Sequence, residues 1–166
     1  MEVSLVQEIK GIVVPLVTPF NEDESLNENA LREIVDYLID AGVHGLFPSG
    51  SQGELWALTA EEKKRVMEIV VEQADGRVFV MPSTGATTTK ESIELTKHAE
   101  ACGADAVSVI TPYFINPSAA EQVEHYSRIA DSVSIPVLAY NNPGRTGVSF
   151  TPEMTAAVSI GSGPKG

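Results

Sequence analysis

Short apolar runs alternate with amphipathic stretches along the chain. The first run, Gly11 to Val17, is rich in Val and Ile, reads as a strand and ends at Thr18-Pro19-Phe20. After a polar loop, Leu31, Ile34, Val35, Leu38 and Ile39 recur at helical spacing up to Gly42, and Gly45 to Phe47 forms a brief second strand. Thr59, with Glu62 three residues on, is a capping box that opens a helix whose apolar line is Val66, Met67, Ile69 and Val70. Val78 to Met81 reads as the third strand, and Thr88 or Thr89 caps a helix running to Cys102. Ala106 to Ile110 is the fourth strand and Ala119 to Val133 the fourth helix. Val137 to Tyr140 is the fifth strand, in an apolar run that reads as buried, and Thr151-Pro152-Glu153 starts a further helix with Pro at its first position.

Strict alternation of five strands with helices implies a parallel sheet with right-handed crossovers. A doubly wound sheet satisfies the alternation too. However, no Gly-x-Gly-x-x-Gly follows the first strand, and residues with chemical potential follow strands two to five. That favours an α/β barrel of the (β/α)8 (TIM) kind, where successive strand ends converge on one mouth. A complete barrel takes about 250 residues, so residues 1–166 are expected to form a single incomplete barrel domain of about five βα units. The strand edges left open would need truncation or an oligomer to account for them.

Acidic residues outnumber basic ones 23 to 11, for a net charge of −12, which disfavours nucleic acid and anionic membrane surfaces as partners. Cys102 is the single cysteine, so no intrachain disulfide and no clustered thiolate metal site can form. No signal-peptide apolar core opens the sequence, and no apolar run nears the ~20 residues of a membrane span. A soluble, cytoplasmic protein is expected.

The segment Tyr140-Asn141-Asn142-Pro143-Gly144-Arg145-Thr146-Gly147 concentrates the chemistry. A phenol ends a strand, and a Pro/Gly turn then carries a guanidinium, placing an acid/base group beside an anion clamp where α/β proteins bind ligands. A tyrosine at a strand end serves packing more often than chemistry. Gly50-Ser51-Gln52-Gly53-Glu54 offers turn glycines and donors that could face an anion, or an ordinary glycine loop with Glu54 as a buried acceptor. Ser83 and Thr84 add hydroxyls after strand three, and Tyr113 adds a second phenol after strand four. His44, His98 and His125 share no metal-like spacing; His98 and His125 are expected to be solvated on helices. Glu61-Glu62-Lys63-Lys64-Arg65 reads as a wet helix face. Neither metal nor cofactor is expected.

Together these residues resemble the dihydrodipicolinate synthase / N-acetylneuraminate lyase family. The carriers are Thr18-Pro19-Phe20, Gly50-x-x-Gly53-Glu54, Thr111-Pro112-Tyr113 and Tyr140-Asn-x-Pro-x-Arg-Thr-Gly147, in the family's order, from about Gly11 to Glu153. The resemblance implies a (β/α)8 barrel, a homo-oligomer (dimer or tetramer), and a strand-six lysine that forms a Schiff base with pyruvate or another 2-keto acid. It implies Tyr140 as catalytic acid/base and Ser51 and Gln52 as ligands of the keto-acid carboxylate. It also implies Arg145 as a clamp on a second carboxylate, with Tyr113 and Glu54 in supporting places.

Three departures bear on the branch. Gln52 stands where the synthases carry a hydroxyl, and Phe114 stands where they carry a second tyrosine lent to a neighbouring subunit. Arg145 favours a dihydrodipicolinate synthase, whereas Gln52 and Phe114 favour a sugar-acid aldolase or hydratase-aldolase. The lysine is the third departure. Lys165 follows Gly163-Pro164, but Ile160 to Gly163 does not read as a strand, so Lys165 reads as tail rather than as the Schiff-base residue. The remaining alternative is a non-catalytic, truncated barrel.

Overall fold

The computed structural model describes residues 9–161, which divide into two compact units, one ending at Met81 and the other starting at Pro82. The first unit contains β1 (Val13–Pro15), α1 (Glu28–Asp40), β2 (Gly45–Phe47), α2 (Ala60–Ala74) and β3 (Phe79–Val80). Its sheet is parallel in the order β1-β2-β3, with Val14 beside Leu46 and Leu46 beside Val80.

The helices start where side chains can satisfy their first N–H groups. Asn27 accepts from the Ala30 amide at 3.0 Å, and Thr59 and Glu62 form the expected capping box. α2 stops at Asp75, which takes a left-handed conformation (φ +46°). Leu31 and Val35 from α1, Val66, Ile69 and Val70 from α2, and Leu16, Leu46 and Val80 from the sheet region close one apolar core. Over that core, Arg65 grips Glu28 through two bonds of 2.7 and 2.6 Å, and Arg77 bonds Asp36 at 2.6 Å. These pairs are open to solvent, so they fix the register of α1 on α2 more than they add stability.

The strands are shorter than their apolar runs. β1 covers three residues of Gly11 to Val17, because its partner β2 ends at Phe47, before Pro48, which has no N–H to continue a ladder. One further bond, Leu16 N–H to the Phe47 carbonyl at 3.1 Å, completes the pairing.

The second unit contains α3 (Thr89–Ala101), β4 (Val107–Ile110), α4 (Ala119–Ala130), β5 (Val137–Tyr140), the four-residue α5 (Pro143–Thr146) and α6 (Pro152–Gly161). β4 and β5 are parallel, with Val107 beside Val137 and Ile110 beside Tyr140, and Ser83 makes a parallel bridge to Ser108. Thr88 caps α3, and Ser118 with Glu121 forms a second capping box at α4. α4 ends at Ala130 rather than Val133, because Asp131 already closes it as the C-terminal cap.

β4 is buried throughout, but β5 is only half-buried and Ala139 is exposed, which corrects the expectation of a buried strand. Among the described residues β5 pairs with β4 alone, and a cleft of about 330 Å³ opens between α4, β5 and α6 beside Tyr126, Val137, Ala139 and Phe150. No helix among the described residues is long and apolar enough to cross a membrane.

Candidate active site

In the first unit, the loop from Ser49 to Leu55 is shaped by its own backbone. The N–H groups of Gly53, Glu54 and Leu55 bond to Gly50 O, Ser51 O and Gly50 O at 3.1, 3.4 and 3.3 Å, so these amides face inward and are not offered to an anion. Thr18 donates its hydroxyl to the Gly53 carbonyl at 2.9 Å, tying the loop to the chain after β1. A Cβ on Gly53 would stand 3.0 Å from the Leu16 carbonyl and 3.1 Å from the Thr18 hydroxyl, so only glycine fits without movement. Ser49 is buried in a left-handed conformation (φ +56°), a local strain of the kind that clusters at functional loops. What the loop presents outward is Ser51, half-buried, and Gln52, exposed.

Glu54 departs from expectation. It is exposed with φ +56°, not a buried acceptor, because the left-handed backbone turns the carboxylate out of the loop. Lys63 departs in the opposite direction. It is 5 % exposed on α2, in the same stripe as Val66, Met67 and Val70, so this position of the charged run belongs to the core face.

In the second unit, Tyr140 closes β5 half-buried, and its phenol oxygen accepts a hydrogen bond from Asn142 Nδ2 at 3.0 Å. Asn142 stands just before α5 without a side-chain capping bond to it; the short helix starts at Pro143 and ends at Gly147, φ +72°. Arg145 is carried on this helix, exposed, with no carboxylate partner among the described residues. Asn141 closes the loop, donating to Phe150 O at 3.2 Å and accepting from Phe150 N at 3.0 Å. Thr111, fully buried after β4, donates to the Thr146 hydroxyl at 3.0 Å. The structure thus brings Tyr140 and Arg145 onto one braced loop. The four-residue helix and the Thr111–Thr146 pair were not anticipated from sequence; the Asn-x-Pro start is the one signal that marked the former.

Tyr113 is half-buried, and burial together with the Glu91 carboxylate raises its pKa, so the phenol holds its proton and can donate. Phe114 is 94 % exposed at φ +77°, an uncommon conformation for an aromatic residue. His125 is buried rather than solvated. Its Nδ1 meets the Thr89 hydroxyl at 2.9 Å, its Nε2 has no partner among the described residues, and burial, aided by Arg128, lowers its pKa to about 4. His98 is half-buried rather than fully solvated. His44 is exposed and accepts the Ile12 amide at 3.1 Å. The described residues contain no group of three or more His, Cys, Asp or Glu side chains placed to hold a metal. Lys165 lies outside the described residues.

Residues 8–160 match the profile of the dihydrodipicolinate synthetase family. The chain belongs to that family. A curated relative, the 4-hydroxy-tetrahydrodipicolinate synthase of Brucella abortus, is 45 % identical over 150 residues, which is 90 % of this chain and 51 % of the relative. Among solved structures, a prophage protein of the dihydrodipicolinic acid synthase family from E. coli K12, in complex with pyruvate, superposes with a TM-score of 0.89 at 39 % identity. That match covers 92 % of this chain and 51 % of that one. CdNal from Clostridium difficile, in complex with mannosamine, superposes with a TM-score of 0.89 at 31 % identity, covering 92 % and 53 %. The chain therefore spans about half the length of the family members it matches, and its fold is that of the family's α/β barrel, with five of its strands present.

Proposed function

We propose that this chain is part of a pyruvate-dependent class I lyase or synthase of the 4-hydroxy-tetrahydrodipicolinate synthase type. The observation that carries the reading is Tyr140. In a member of the dihydrodipicolinate synthetase family, a phenol sits at the C-terminal end of β5 with its oxygen held by Asn142, the atom that must gain and lose a proton.

In the proposed reaction a lysine amine adds to the keto carbon of pyruvate and expels water, leaving an iminium. The iminium withdraws electrons, so the neighbouring methyl carbon gives up a proton and becomes a nucleophilic enamine carbon. Its attack on an aldehyde forms the new carbon–carbon bond, and the aldehyde oxygen takes up a proton. Tyr140 carries these protons as acid/base. Ser51 and Gln52 hold the keto-acid carboxylate, and Arg145, exposed and without a carboxylate of its own, grips a carboxylate on the second substrate. Tyr113 supports the site as a protonated donor, and Glu54 from the surface of its loop.

A sugar-acid aldolase or hydratase-aldolase is the second reading. It is favoured by Gln52 and Phe114, neither of which can pass a proton as a hydroxyl does. We further infer a homo-oligomer, supported by Phe114 at 94 % and Ile115 at 72 % exposure, and a cytoplasmic location.

No lysine of the described residues ends a strand: Lys63 and Lys64 lie on α2, Lys90 and Lys97 on α3, and Lys10 precedes β1. With Lys165 read as tail, these 166 residues alone are expected to form no Schiff base, as in a non-catalytic partial barrel. Borohydride reduction in the presence of pyruvate, read by mass spectrometry, tests both statements. The full-length protein is expected to gain one pyruvyl group, and failure to do so ends the lyase reading. An adduct on the 166-residue chain overturns its predicted inactivity.

A further inference from the structure

Two buried hydroxyls near Tyr140 take no part in the chemistry above. Thr111 is fully buried; its N–H donates to the Tyr140 carbonyl at 3.3 Å and its hydroxyl to Thr146 Oγ1 at 3.0 Å. Thr146 is 5 % exposed. Its single proton is shared between the carbonyls of Asn142 and Val148, both at 3.1 Å, while its oxygen accepts from Thr111 and, at 3.3 Å, from the Val148 amide. Thr146 is thus saturated, with one donor and two acceptor positions all in use. Thr111 touches both the strand end that carries Tyr140 and, through Thr146, the turn that carries Arg145.

A four-residue helix has too few internal bonds to hold its own shape. α5 therefore takes its position from its anchors: the Asn142 bond to the Tyr140 hydroxyl, the Asn141–Phe150 pair and the Thr111–Thr146 pair. Only the last of these reaches β4. The geometry points to Thr111 and Thr146 as positioning residues that hold the Arg145 clamp relative to the Tyr140 phenol, and so set selectivity for a second substrate bearing a carboxylate. This rests on the roles given above to Tyr140 and Arg145.

The test uses the full-length protein with pyruvate and aspartate 4-semialdehyde. Thr146→Val removes the hydroxyl at nearly constant volume. It is expected to lower kcat/KM for the semialdehyde at least ten times more than it lowers the rate of borohydride-trappable pyruvate adduct formation, with Thr146→Ser restoring most of the loss. Thr111→Ala, which leaves Thr146 its backbone partners, is expected to show the same split and keeps the test open should Thr146→Val fold poorly. Thr96→Val breaks a comparable buried pair, Thr84 with Thr96 at 2.8 Å on α3, and is expected to lower Tm without the split. If the Thr146 and Thr111 variants only lower Tm as Thr96→Val does, the positioning role is overturned. Arg145→Ala separates the two levels. Should it leave kcat/KM for the semialdehyde intact, the clamp reading fails and this inference with it. Should it impair while Thr146→Val does not, this inference alone fails.

Discussion

The two units bury different things. Among the described residues, buried polar side chains in the first unit are Thr18, Ser49 and Lys63, set against a core of Leu, Val and Ile. The second unit buries Ser83, Thr84, Ser92, Thr96, Ser108, Thr111, Gln122, His125 and Thr146. The first is held by volume and apolar area, with its ion pairs on the surface over α1 and α2. The second adds buried hydroxyls to its core: Thr84 pairs with Thr96, Ser92 accepts from the Ala86 amide and Thr111 donates to Thr146, while Ser83 Oγ has no partner among the described residues, and leaving a buried hydroxyl unpaired costs more than the bond itself contributes. The lesson is that the unit carrying Tyr140 adds directed bonds to an apolar core of its own, and such bonds position a loop more sharply but tolerate less chemical change.

That contrast can be broken in several ways, and the largest effect is chemical. Tyr140→Phe keeps the ring and removes the proposed proton carrier; if the proposed reaction holds, turnover of the full-length protein is expected to fall by about 10²- to 10⁴-fold. Tyr126→Phe, in the same unit, loses a 2.9 Å bond to the Val109 carbonyl and is expected to lower stability with turnover retained. Steady-state kinetics on the pair separates the phenol proposed to carry protons from the phenol that packs; equal losses of turnover would erase the distinction.

Leu46→Ala probes the first unit. Leu46 is fully buried at the centre of its sheet, so a loss of about 2–5 kcal/mol in urea unfolding is expected, with hydrogen exchange accelerating first in α1 and α2. Uniform acceleration across both units would show that they do not fail separately.

Acid is the third probe, and it should act on the second unit. His125 titrates near 4 in the folded state against an unfolded value of 6.5. Between those values the unfolded chain binds a proton that the folded chain refuses. Its contribution is therefore present above pH 6.5 and lost as pH falls toward about 4, on the order of 2 kcal/mol. Urea midpoints for the native chain and His125→Gln should converge over that window; parallel curves would remove His125 as the cause. Asn141→Leu, which deletes both bonds to the Phe150 backbone, is expected to cost about 1–2 kcal/mol, with exchange rising at residues 141–150. The smallest change should come from Arg65→Met, whose partners are open to solvent, and whose urea midpoint should move least of the set.

Much of the molecule is legible in local sequence. The capping box at Thr59, the cap at Thr88 and the helical spacing of apolar residues place helices within a few residues, because a helix start depends on groups three or four positions away. The alternation of strands and helices, with Tyr140 ending β5 and Arg145 after it, likewise needs no distant information. Strand length did not follow from the apolar runs, since a ladder extends only as far as its partner. Burial of Lys63 and His125, exposure of Glu54 and of one face of β5, and the reach of Thr111 to both Tyr140 and Thr146 were decided by tertiary structure. Each depends on which surface meets a given side chain, and those surfaces come from residues far away along the chain. Local bonding chemistry is written in neighbouring residues; desolvation and the joining of distant hydroxyls exist only once the chain has folded.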